Sequence, residues 1–129
     1  MISYCHENNL FCDLLLEYLT KSNDRFNIWI DRTHCEGVID LWESIADGME
    51  RSSIILCLLS GQYFQSKSCR QEFIYATDSL KRPILPILIE NFQPKGWMGL
   101  INILSFAFLC YLHLISLRYS NDWNEIYSF

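Results

Sequence analysis

No cluster of lysine or arginine occurs anywhere in this chain of 129 residues, and ten basic against fifteen acidic side chains leave a net charge of −5. That balance argues against a nucleic-acid-binding surface, which needs a basic patch. Paired cysteines are missing too. The six at positions 5, 12, 35, 57, 69 and 110 show no C-x-x-C spacing and no regular interval. A structural zinc needs spaced ligand pairs, so neither His6 beside Cys5 nor His34 beside Cys35 makes a metal site, and we expect no metal. The cysteines read instead as reduced, mostly core thiols of a cytoplasmic protein. The start of the chain turns polar by residue 6, which argues against a signal peptide. No internal repeat, low-complexity tract or linker interrupts it. The length suits one domain, spanning 1–129, and is too short for two.

What is present is a large apolar fraction. Half of the residues are hydrophobic and 15% are aromatic, which excludes a disordered chain. From Asn9 onward, Leu10/Phe11, Leu14/Leu15 and Tyr18/Leu19 recur at helical spacing and predict an amphipathic helix ending near Lys21–Asn23. Residues 26–30 are rich in aromatic and β-branched side chains and read as a strand stopped by Asp31. Val38, Trp42, Ile45 and Met49 then fall on one helical stripe, predicting a second helix with one buried face. Residues 54–59 are apolar at every position, the pattern of a parallel strand covered on both sides. Ser68 followed by Gln71 reads as a capping box for a third helix, and 84–89 as another buried strand. Pro86 counts against a central place for that last strand, because it donates no hydrogen bond.

Short strands at 1–4, 26–30, 54–59 and 84–89 alternating with helices predict an open parallel α/β sheet of flavodoxin-like type, ordered second, first, third, fourth. Residues 101–117 are nearly all apolar. Their length sits at the bottom of the about 17–25 residues that a spanning helix needs. Asn102 and His113 lie inside the stretch and Arg118 alone flanks it downstream. We therefore read a final strand and helix buried in the core, and not a membrane tail.

In such a sheet ligands bind beyond the carboxyl ends of the strands, at the switch point between the first and third. A phosphorelay receiver would need acidic residues after the first strand and an aspartate ending the third. Ser3-Tyr4 and Leu59-Ser60 stand in those places. A phosphate cradle would need a glycine- or Ser/Thr-rich loop, and the loop CHENN at 5–9 has no glycine. What remains is Glu72, placed by a Ser68 cap near the positive end of the third helix, where the dipole favours an ionised carboxylate. A fixed carboxylate can hold sugar hydroxyls and stabilise a developing oxocarbenium ion. Breaking a glycosidic bond to a positively charged leaving group, as in NAD, requires no acid. The plainer reading of Glu72 is a glutamate kept for the dipole alone.

Several boxes share their order and spacing with a known family. Met1-Ile2-Ser3-Tyr4 looks like an opening hydrophobic pair followed by Ser-Tyr. Ile28-Trp29-Ile30-Asp31 looks like a second strand leading into a loop that carries Gly37. Leu59-Ser60-x-x-Tyr63-x-x-Ser66-x-x-Cys69-x-x-Glu72 matches a long box with every spacing intact, and Pro86-Ile87 and Trp97-x-Gly99-Leu100 follow in order. Over residues 1–100 the chain resembles a TIR (Toll/interleukin-1 receptor homology) domain, and from 101 to 129 the likeness is weak.

Two modes of action follow from that resemblance, and both stay open. Some TIR domains are NAD+ nucleosidases, hydrolases that release nicotinamide and whose pocket is completed by a neighbouring copy. In that comparison Glu72 is catalytic, NAD+ is a substrate and not a prosthetic group, and Tyr4, Asp31, Gly37, Trp42 and Ser60 line the nucleotide pocket. Others are non-catalytic adaptors in innate-immune-type signalling, recruiting further TIR domains by homotypic protein–protein interaction through the BB loop, here 31–38. The chain departs from the family pattern at Cys5-His6, where basic residues are frequent, and at Ser68, where a tryptophan often precedes the cysteine. By its place on the helical stripe, Trp42 reads more readily as core than as ligand contact, and Tyr4 fits either role.

Overall fold

The computed structural model describes residues 1–22, 25–31, 40–91, 93, 95 and 96. Among the described residues three strands, β1 (Ile2–Ser3), β2 (Ile55–Leu59) and β3 (Ile84–Leu88), form one sheet in the order β1-β2-β3. Both pairings are parallel, with Ile2 opposite Leu56 and Cys57 opposite Pro86. The all-apolar run of β2 has the cause expected of it. Ile55, Cys57 and Leu59 pack into a cluster on one face, whereas Leu56 and Leu58 face a second cluster on the other. Successive strand side chains point to opposite sides, so a strand covered twice must be apolar throughout.

Helices supply the two covers. α1 (Asn9–Ser22) buries Cys12 and Leu15 in the cluster with Tyr4, Ile30 and Ile87. α2 (Leu41–Arg51) buries Ile45 and Met49 in the opposite cluster, with Tyr63, Cys69 and Ala76. Asp40 starts α2, its carboxylate accepting from the backbone N–H of Trp42 and of Glu43, both at 3.1 Å. α3 (Gly61–Gln65) and α4 (Lys67–Ile74) follow β2, and a π-helical turn at Tyr75–Ser79 continues α4. The helix after β1 and the helices after β2 thus lie on opposite faces. The crevice between the carboxyl ends of β1 and β2 is the switch point of this flavodoxin-like α/β fold.

Some local expectations need correction. Residues 26–30 do not form a strand. They run beside β1 and are tied to it where the Ile2 N–H donates to the Trp29 carbonyl at 3.0 Å. With β1 only two residues long, there is little strand for them to pair with. Leu10 and Trp42 are exposed despite their places in the apolar pattern. The third helix is capped by Ser66 and not Ser68, the Ser66 hydroxyl accepting from the Cys69 N–H at 3.3 Å. Pro86 does sit in β3 at the edge of the described sheet.

One close contact fixes α2 on the segment beside β1. A Cβ placed on Gly48 would lie 2.5 Å from the Trp29 ring, so the indole occupies the space a side chain would need. Among the described residues no helix is long and apolar enough to cross a membrane. The stretch 101–117, Gly37, most of the BB loop and Trp97 to Leu100 lie outside the described residues.

Candidate functional site at the end of the first strand

Two short helices bring Glu72 back to β1. β2 ends at Leu59, and buried Ser60 then caps α3, its hydroxyl accepting from the Tyr63 N–H at 3.0 Å. The same hydroxyl donates to Asn8 Oδ1 at 2.7 Å, tying the loop after β1 to the start of α3. The chain turns again at Ser66 into α4, whose face toward the sheet carries Cys69 and, one turn on, Glu72. Ser3 Oγ donates to Glu72 Oε2 at 2.7 Å. Ser3 and Tyr63 hydroxyls lie 2.9 Å apart. A serine has one hydroxyl proton. With that proton on the carboxylate, the Tyr63 hydroxyl donates to Ser3, and a relay runs Tyr63 to Ser3 to Glu72.

Burial dominates the electrostatics of this group. The Glu72 carboxyl is pushed up to about 7, first by desolvation and further by the negative charge of Asp31, against the Ser3 hydrogen bond and the charge of His6. The expected dipole effect does not prevail. The cap lies two residues earlier than the sequence suggested, so Glu72 sits beyond the first turn, and the helix-end field fades within that turn. His6 Nε2 and Asp31 Oδ2 are 2.5 Å apart, forming a pair at the mouth of the site. Burial also pushes the Cys57 and Cys69 thiols up to about 12. Such thiols keep their protons near neutral pH and react slowly.

A cleft of about 590 Å³ opens between α2 and α4. Trp42, Ile45, Ala46 and Met49 form one wall, and Lys67, Ser68, Gln71, Glu72 and Tyr75 the other. Trp42 is therefore not a core residue. Its side chain is half exposed over the same cleft that Glu72 lines. An aromatic plane, an ammonium and a carboxylate on one cleft form a chemically mixed surface, suited to a flat ring joined to charged groups.

Asp31 comes near Glu72 at the end of β1, where its charge acts on the carboxyl, whereas Tyr4 is buried in the cluster on the opposite, α1 face of the sheet. The Tyr4 ring lies 5.5 Å from that of His6, which holds Asp31. Trp42 joins Glu72 from the cleft side. Ser60 does not join them, because it is buried and used as a cap. Gly37 is outside the described residues. Ser3, Tyr63, His6 and Lys67 were not singled out from the sequence for this site. For Ser3 a signal existed. Met1 belongs to the cluster on the α4 side and Ile2 to the other face, so alternation turns Ser3 toward α4. Among the described residues no group of three or more His, Cys, Asp or Glu is arranged to hold a metal ion.

Comparison with known proteins agrees with this architecture. The family model described as TIR domain matches residues 1–124. The crystal structure of the TIR domain of the Toll-related receptor TRR-2 from the lower metazoan Hydra magnipapillata is similar in fold, with a TM-score of 0.67. It shares 17% sequence identity, and the match covers 78% of each chain. No curated protein matches the sequence. With nearly its whole length matched by that family model, the chain belongs to the TIR domain family.

Proposed function

We propose that this protein acts in signal transduction as an assembly-dependent NAD+ glycohydrolase of the cytoplasm, with Glu72 as its catalytic residue. TIR domains are signalling modules that associate with one another, so a pocket completed by a second copy fits the family. The observation that carries the reading is the placement of Glu72. Its carboxylate is bonded to Ser3 at the switch point and opens onto a cleft that Trp42 and Lys67 also line.

In this reading the indole of Trp42 packs against a flat ring of the dinucleotide, and Lys67 faces its phosphates. The bond between the ribose C1′ and the nicotinamide nitrogen breaks, and its electron pair leaves with the ring, which becomes neutral. Positive charge grows on the ribose. Ionised Glu72 stabilises that charge and orients the sugar hydroxyls. Water adds to C1′ and loses a proton, giving ADP-ribose. Because the leaving group departs neutral, the reaction needs the carboxylate and no acid, so activity rises as pH passes through the Glu72 value of about 7.

A second reading draws on the same carboxyl. Burial makes ionisation of Glu72 costly, and a carboxyl kept protonated and bonded to Ser3 would serve to hold α4 on β1 in a purely recruiting adaptor. Incubating pure protein with NAD+, with and without crowding agents, and measuring nicotinamide separates the two. Release that grows steeply with protein concentration supports the enzyme. No release even from assembled protein leaves the adaptor. In either case the BB loop supplies part of the contact between copies. Gly37→Asp adds a charge and a side chain there and is expected to weaken assembly in light scattering. Identical monomeric behaviour of both proteins at high concentration would rule out that contact.

A further inference from the structure

Two links join the end of β1 to α4, and only one of them involves Glu72. Ser3 reaches Glu72. Two residues on along extended chain, Cys5 packs against the cluster containing Cys69, near enough for charge on Cys5 to act on the Cys69 thiol. The repeat is geometric. Residues two apart on an extended segment face one way, and residues three apart on a helix share a face. The pair Ser3/Cys5 therefore meets the pair Glu72/Cys69 side by side. Both cysteines are free thiols.

We propose that Cys5 and Cys69 form a redox site, a thiol pair that hydrogen peroxide converts to a disulfide bridging β1 and α4 beside Glu72. Cys5 is half-buried and open to a small oxidant, whereas Cys69 is buried. Oxidation begins at Cys5. Its sulfur takes one oxygen from peroxide, giving the sulfenic acid and releasing water. Cys69 then attacks that sulfur. The S–S bond forms, the hydroxyl leaves with the Cys69 proton as a second water, and the thiols have lost two electrons to the peroxide. Burial keeps Cys69 protonated until this step, so closure is slow and competes with further oxidation of the Cys5 sulfenic acid by excess peroxide. The bridge fixes the Cys5-His6 segment against the helix that carries Glu72. It stands whether or not the domain cleaves NAD+.

Oxidising the full chain with hydrogen peroxide, alkylating the remaining thiols and mapping bridges by tandem mass spectrometry tests this directly. The expected result is a Cys5–Cys69 bridge that dithiothreitol reverses and that is lost in Cys5→Ser and in Cys69→Ala. Far-UV circular dichroism checks that both variants fold, and mapping of the unmutated chain does not depend on them. Alkylation of both Cys5 and Cys69 after oxidation, or a bridge from Cys69 to any cysteine other than Cys5, would overturn the proposal.

Discussion

Ser3 and Glu72, 69 positions apart in sequence, are joined by a 2.7 Å hydrogen bond that ties the first strand to the helix after the second. Because Ser3 is buried and Tyr63 stands behind it, the bond is the outer end of a polar relay running into the core. It fixes the carboxylate in position and partly offsets the cost of burying it.

Ser3→Ala is expected to raise the Glu72 pKa further above about 7, since the hydrogen bond that favours the charged form is gone. It also removes the acceptor of a buried tyrosine hydroxyl, a loss on the order of 1–3 kcal/mol. A pH titration of the Glu72 side-chain carbonyl by NMR reads the first effect and denaturant unfolding the second. A titration midpoint that stays put or falls would contradict the relay.

Stability should depend on pH through Glu72 in a definite direction. Its folded value, about 7, lies above the ordinary 4.5, so the native state holds this proton more tightly than the unfolded chain does. The stabilisation is complete below the ordinary value and is lost as pH rises through about 7. The full change is about 3 kcal/mol. Glu72→Gln has no such proton, so wild type should lose more stability than the variant between about pH 4 and pH 8. Parallel unfolding curves at the two pH values would show that burial does not govern this group.

Gly48→Ala tests the packing of α2 on the segment beside β1. The new Cβ would stand 2.5 Å from the Trp29 ring, and a packed indole cannot yield as a flexible chain end can. Overpacking of this kind costs about 1–3 kcal/mol, against about 1 kcal/mol gained from alanine in a helix. A net loss of stability is expected by thermal unfolding. An unchanged or higher midpoint would mean that Trp29 moves aside freely.

The parts of the fold that could be read from sequence are those in which one physical demand acts on every residue. β2 had to be apolar at each position because both faces are covered, so its place was plain; β3 is apolar too, although it lies at the edge of the described sheet and buries only Ile87 fully. α1 and α2 showed their buried faces at helical spacing. Residues 26–30 have strand composition yet form no strand, since pairing depends on a partner whose extent composition does not reveal. The cap moved from Ser68 to Ser66 because two serines compete for one role and the inserted helix α3 decides between them. Trp42 lies on the apolar stripe of α2, but that stripe extends past the core to the cleft rim, so periodicity could not distinguish packing from display. Glu72 was found by its place in the fold and by the resemblance. Its raised pKa was not, because it depends on burial against the end of β1 and on the charge of Asp31, both distant in sequence.

The central claim is that the Glu72 carboxylate carries the chemistry, and Glu72→Gln tests it most directly. The substitution keeps the shape of the side chain and removes the charge that would meet the developing oxocarbenium ion. Nicotinamide release should be measured for assembled wild type and variant at equal concentration, above about pH 7, where the carboxylate is largely ionised. The account predicts slow release by wild type and a loss of about 10²-fold or more in the variant, with assembly unchanged by light scattering. Equal release by the two proteins, or none from assembled wild type, would contradict it.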